Sequence, residues 1–139
     1  MTAPPDPVGL YEPFTKFGDL VFLSAISSAR DGTMITGKVG AELSLEDGRE
    51  AARRAAANLL AVLSIAAQDE ANIGGILLLR GQVNATDDFT QVHKVIDAAS
   101  ELIVERLGEK GRHARTAIGC ATLPNNNAVT LEGIARVAT

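Results

Sequence analysis

Tryptophan is absent, and aromatic residues make up only 4% of a chain of 139 residues. A core without bulky rings must be assembled from Ala, Val, Leu and Ile, packed closely enough that small side chains replace large anchors. A single cysteine, Cys120, excludes an intrachain disulfide, and free Cys behaves mainly as a small core residue. Basic residues are outnumbered 13 to 17, giving a net charge of −4. That balance opposes general nucleic-acid binding, which depends on cations neutralising phosphates. With two histidines, His93 and His113, and no Cys or carboxylate at ligand spacing, no metal site is expected. No apolar run approaches membrane-spanning length, and MTAPPDPVG lacks the basic and apolar regions of a signal peptide. A cytoplasmic protein making no membrane or nucleic-acid contact is the resulting expectation.

What is present reads as one domain, residues 1–139, large enough to bury about two thirds of its unfolded surface. The Pro-rich lead-in closes at Tyr11. LVFLSAI (Leu20 to Ile26) and MITGKV (from Met34) predict a hairpin about Arg30-Asp31-Gly32-Thr33. Ser44 predicts a helix N-cap, with Glu46 and Asp47 in the first turn and Ala51, Ala55, Leu59, Val62 and Ala66 at helical spacing to about Gln68. Gly74 opens a buried strand. A second helix is predicted from Thr86 or Asp87, burying Phe89, Val92, Ile96, Ala99 and Ile103 and stopping at Gly108. Ala114 to Leu123 and Ala128 to Val137 predict two closing strands joined at Pro124. The order implies an α/β (α+β) fold, a mixed sheet with two helices on one face. The other face then needs a cover, and self-association supplies one.

Several patterns fail on inspection. Gly32 to Lys38 matches the front of a phosphate-binding loop, but Val39 stands where Ser or Thr should hold magnesium, so a turn is the better reading. Asn84-Ala85-Thr86 fits a glycosylation acceptor only in a secreted chain. The surviving candidate is Arg115, which opens an apolar strand after a loop carrying Lys110, Arg112 and His113. Its planar fork suits a small carboxylate; pairing with an internal carboxylate, or solvation of the strand end, is the competing structural role.

Gly9-Leu10-Tyr11, Gly18 to Ser24, Asp87-Asp88-Phe89, Ala114-Arg115-Thr116 and Leu123-Pro124, with a closing strand ending Glu132-Gly133-Ile134-Ala135, are similar in order and spacing to the landmarks of the RidA/YjgF family, also labelled endoribonuclease L-PSP. Residues 83–115 most resemble a largely uncharacterised branch of it. The resemblance implies a chorismate-mutase-like fold, a homotrimer and clefts between subunits. It also implies hydrolytic deamination of small carboxylate-bearing enamines or imines, such as 2-aminoacrylate, to 2-keto acids and ammonia, with no cofactor. Arg115 would bind the carboxylate, and Tyr11, Ser24 and His93 match positions that line the cleft. Tyr11 serves equally as an anchor for the lead-in, and a packed or surface role outweighs a catalytic one for His93.

The departures bear on turnover. Ser-Gly-Gln of the family is Ser24-Ala25-Ile26 here, and the acidic residue that assists the water falls on Thr130, whose hydroxyl positions a water but is no general base. Glu132, two residues on and on the same strand face, is either a substitute or a partner for a basic side chain. Non-catalytic binding of a small acid in the same cleft is therefore the alternative. A ribonuclease or translation inhibitor, the label of some relatives, ranks below both on charge.

Overall fold

The computed structural model describes residues 3–138; the Met1-Thr2 start of the lead-in lies outside them. The remaining lead-in, interrupted by Pro4, Pro5 and Pro7, is irregular up to Pro13. Regular structure then runs β1 (Phe14–Phe17), β2 (Leu20–Ile26), α1 (Leu45–Ala67), β3 (Ile73–Asn84), α2 (Val92–Leu107), β4 (Ala114–Cys120) and β5 (Val129–Val137). The strands form one five-stranded mixed sheet in the order β1-β2-β5-β3-β4, with β3 and β4 parallel and the other neighbours antiparallel.

Helix α1 begins where its sequence says. The Ser44 side chain accepts from the Asp47 amide at 3.1 Å, while the Asp47 carboxylate accepts from the Ser44 amide at 2.9 Å, a reciprocal capping box. It ends at Gln68, whose left-handed backbone (φ 69°) turns the chain toward β3. Ala51, Ala52, Ala55 and Ala56 are all fully buried, and this smooth face brings the helix close to the sheet. Leu59, Leu63, Ile96 and Ile103 complete the core between sheet and helices, each contributing about 1.5–3 kcal/mol by leaving water. Arg49 ties α1 to α2 through Glu101 at 2.8 Å and the Lys94 carbonyl at 2.6 Å.

Two expectations are corrected. The hairpin that contains β2 pairs it with β1, not with residues 34–39: Phe17 opposes Leu20 across the two-residue turn Gly18-Asp19, and Gly18 takes the positive φ (62°) that such a turn favours. Residues 34–39 form a loop with only isolated bridges, because Gly32, Gly37 and Gly40 at positive φ break its extension. Helix α2 starts at Val92, not near Thr86. The Thr86 hydroxyl donates to the Asp88 carboxylate at 2.8 Å instead of capping an amide, and the Phe89 amide closes a local turn on the Thr86 carbonyl. The stop at Gly108 (φ 65°) is as expected.

Along β5 the odd-numbered residues are buried under the helices, while Thr130, Glu132, Ile134 and Arg136 face the opposite side. That side also carries Phe22 and Ile118, 40% and 48% exposed. The alternation fixes which candidate residues can meet. Among the described residues no helix is long and apolar enough to cross a membrane.

Candidate functional site

Arg115 is the second residue of the edge strand β4 and pairs in register with Leu79, which is fully buried under the helices. Its side chain therefore rises on the helix side, where α2 crosses the sheet edge. Nη1 donates to Asp97 Oδ1 at 2.7 Å and to Ser100 Oγ at 3.2 Å, and Nη2 donates to the His93 carbonyl at 3.4 Å. Asp97 and Ser100, three residues apart on α2, share the face turned toward β4. The internal-carboxylate role weighed for Arg115 is thus realised. With the two side chains 23% and 48% exposed, the pair contributes no more than about 1 kcal/mol. Nε has no hydrogen-bond partner among the described residues. His93 contributes only its backbone carbonyl to this cluster and is itself exposed.

His113 joins the cluster from the loop before β4. Its Nδ1 lies 2.5 Å from the Gly111 carbonyl and its Nε2 2.9 Å from Ser100 Oγ. A carbonyl only accepts, so Nδ1 carries a proton. In the neutral ring Nε2 then accepts from the Ser100 hydroxyl, whose oxygen in turn accepts from Arg115.

A different group gathers near the lead-in. Tyr11, Ser24 and Thr130 line one cavity of about 130 Å³, otherwise mostly apolar, with Pro5, Val8 and Ile26 in its wall. Ser24 Oγ donates to the Glu12 carbonyl at 2.6 Å, and the Tyr11 hydroxyl accepts from the Val8 amide at 3.4 Å, so the ring also anchors the lead-in. Asn127 lines the same cavity. Its Oδ1 is the one buried side-chain polar atom without a partner among the described residues.

Glu132 lies on the open sheet face beyond this cavity. Gln82 links it to Thr130: Gln82 Nε2 donates to Glu132 Oε1 at 3.0 Å, and Thr130 Oγ1 donates to Gln82 Oε1 at 2.7 Å. Thr130 pairs in register with Gln82 on the open face, whereas Arg115 pairs with Leu79 on the helix face. Within one chain the sheet itself separates Arg115 from Thr130 and Glu132. Asp97, Ser100, His113 and Gln82 were not singled out as site residues from the sequence. A signal existed for three of them: positions 97 and 100 share a helix face, and 113 and 115 share a side of an extended segment.

The loop resembling a phosphate-binding motif is instead a strap. The Lys38 ammonium donates to Asn84 Oδ1 at 3.1 Å and to the Ala121 carbonyl, tying the strap to the loop that carries Pro124 and Asn127. Its amide donates to Glu42 Oε1 at 2.7 Å. That bond, the amide of Glu42 itself and the Lys38 charge hold the Glu42 carboxyl below its usual range, against a smaller opposing effect of burial.

The family model described as "YjgF/chorismate mutase-like, putative endoribonuclease" matches residues 4–136. The chain is 36% identical over 104 residues to protein TCP17 of Trypanosoma cruzi, a match covering 74% of this chain and 65% of that one, so it spans just under two thirds of this relative's length. It superposes on the crystal structure of Atu1372 from Agrobacterium tumefaciens, a protein described as of unknown function, with a TM-score of 0.91 and 37% identity, covering 93% of this chain and 83% of that one. A Shewanella oneidensis structure carrying the same endoribonuclease description gives a TM-score of 0.93 at 28% identity, covering 96% and 89%.

Proposed function

Because this chain belongs to the YjgF/chorismate mutase-like family, the RidA/YjgF family, we propose that it is a hydrolytic deaminase of small carboxylate-bearing enamines or imines, acting in a cleft completed by a second copy of the chain in a homotrimer. The observation that carries this reading is the division of the candidate residues. Arg115 sits at the β4 edge with Nε unpaired among the described residues, while Tyr11, Ser24 and Thr130 line a separate cavity beneath the lead-in. A cleft between copies is the arrangement that would let one chain's Arg115 face another chain's cavity. Association would also cover Phe22 and Ile118 on the open sheet face.

In this cleft Arg115 grips the substrate carboxylate through its free edge. The carboxylate fixes the neighbouring imine carbon, and a water held by the Thr130 hydroxyl attacks it; the water's proton passes to the departing nitrogen, with the Glu132 carboxylate, held beside Thr130 by Gln82, as the group that carries it. Ammonia leaves and a 2-keto acid remains. Generating 2-aminoacrylate with a serine dehydratase and following its decay tests the reading: wild type accelerates decay, and Arg115→Ala loses at least about tenfold, in line with a charge-assisted bidentate contact. Equal decay with both proteins rules the activity out.

A second reading is binding of a small acid without turnover. It is favoured by Thr130, which donates its hydroxyl proton to Gln82 and is no base, and by Asp97, which already occupies one Arg115 nitrogen. Calorimetry against 2-keto acids, giving binding without catalysed decay, distinguishes the two. The endoribonuclease description of the family finds less support here, since a net charge of −4 opposes phosphate binding.

A further inference from the structure

We propose that Ser100 is a nucleophile activated by His113, forming a hydrolytic site beside Arg115 for esters or thioesters whose acyl part carries an anionic group. This goes beyond imine hydrolysis and does not depend on it. Three geometric features carry the inference. Ser100 Oγ and His113 Nε2 are 2.9 Å apart, the contact a base needs to take the hydroxyl proton. The Gly111 carbonyl holds Nδ1 at 2.5 Å and fixes the tautomer that leaves Nε2 free to accept, the role an oriented third group plays in serine-histidine sites. Arg115 Nη1, paired with Asp97 at 2.7 Å, also donates a hydrogen bond at 3.2 Å to Ser100 Oγ, the oxygen that gains negative charge as the proton leaves.

The four side chains are not sealed in the core. Ser100, His113 and Arg115 are all partly exposed, and Asp97, at 48%, marks where the cluster meets solvent. Arg115 Nε, without a partner among the described residues, is the donor available to the anionic group of the acyl chain.

The reaction balances within these groups and water. Ser100 Oγ bonds to the acyl carbon, its proton passes to His113 Nε2, and the carbonyl electron pair moves onto oxygen. Collapse breaks the bond to the leaving alkoxide or thiolate, which takes that proton from His113. Water then adds to the acyl-serine with His113 again accepting the proton, and the released acid leaves Ser100 restored.

The test uses the full chain and an alkyl fluorophosphonate, whose phosphorus stands in for the acyl carbon. Intact mass and peptide mapping are expected to find one adduct, on Ser100. His113→Gln, which keeps a hydrogen-bonding side chain, is expected to slow labelling about a hundredfold, the usual contribution of a general base. In His113→Ala, added imidazole is expected to restore labelling. No adduct on the wild type, an adduct elsewhere, or an unchanged rate in His113→Gln overturns the proposal. None of these outcomes bears on the decay of 2-aminoacrylate.

Discussion

The β4 edge and the lead-in cavity are built on opposite terms. At the edge, Asp97, Arg115, Ser100 and His113 form a continuous polar chain with bonds of 2.5 to 3.2 Å, ending on the Gly111 carbonyl. At the lead-in, about 130 Å³ of mostly apolar space is walled chiefly by proline and aliphatic side chains, with Asp6 as its charged lining residue, and a buried Asn127 oxygen there has no partner among the described residues. One end is a network of charged and polar groups, the other a mostly apolar space. The difference teaches that chemistry and shape are specified by separate parts of the chain: the first by the register of β4 against α2, the second by loops folded over the ends of β2 and β5. Each end can therefore be disturbed alone.

Gly81 offers the largest disturbance of the edge. A Cβ there would stand 2.5 Å from Ile96 Cδ1 and 2.6 Å from its Cγ1, because α2 rests directly on β3 at this point. Gly81→Ala is expected to cost up to about 3 kcal/mol, as overpacking of a tight core does. Relief requires Ile96 to move, and with it the turn of α2 that carries Asp97 and Ser100. Urea denaturation reads the loss. Comparison of the His113 ring resonances with those of Tyr11 shows whether the edge shifts while the cavity stays; a shift at Tyr11 alone would contradict the independence of the two ends.

A smaller effect separates binding from stability at the edge. Asp97→Asn removes the charge that competes for Arg115 but keeps an acceptor within reach. Since Asp97 is half exposed, the stability change is expected to stay under about 1 kcal/mol. Affinity for a 2-keto acid is expected to rise severalfold by calorimetry, because the guest no longer displaces a carboxylate. A fall in affinity would mean that Asp97 orients the fork and does not compete for it.

How much of this was legible in the sequence follows the same division. The layered fold was, because its signals are local: Ser44 with Asp47 for the start of α1, Gly108 for the end of α2, the apolar run from Gly74 for β3. The partner of β2 was not, since Phe14–Phe17 is short, half of it charged or polar, and mostly exposed, leaving little apolar pattern to read. The start of α2 was misread because Thr86 and Asp88 satisfy each other. Arg115 stood out by residue type, and Tyr11, Ser24 and Thr130 do share a cavity. The face on which Arg115 lies depends on its pairing with Leu79 across a parallel crossover, which no local pattern encodes.

The lead-in end has its own, still smaller lever in Glu42. Its carboxylate accepts the Lys38 amide, and Lys38 in turn holds the Ala121 carbonyl and Asn84, so the strap steadies the loop bearing Pro124 and Asn127. The carboxyl titrates below its ordinary value of 4.5, chiefly through the Lys38 amide bond. A group whose folded value is depressed stabilises the fold above its unfolded value, and that contribution is lost as pH falls through the folded one. Between neutral pH and 4.5 the strap should hold. Below 4.5 the Lys38 amide is expected to lose hydrogen-exchange protection, beyond the intrinsic change of rate with pH. Amides of the α1 core around Leu59 keep theirs. Glu42→Gln should leave the Lys38 amide equally protected on both sides of that pH. Acid-dependent opening that persists in Glu42→Gln would assign the sensitivity to another group and break the link between the strap and the cavity.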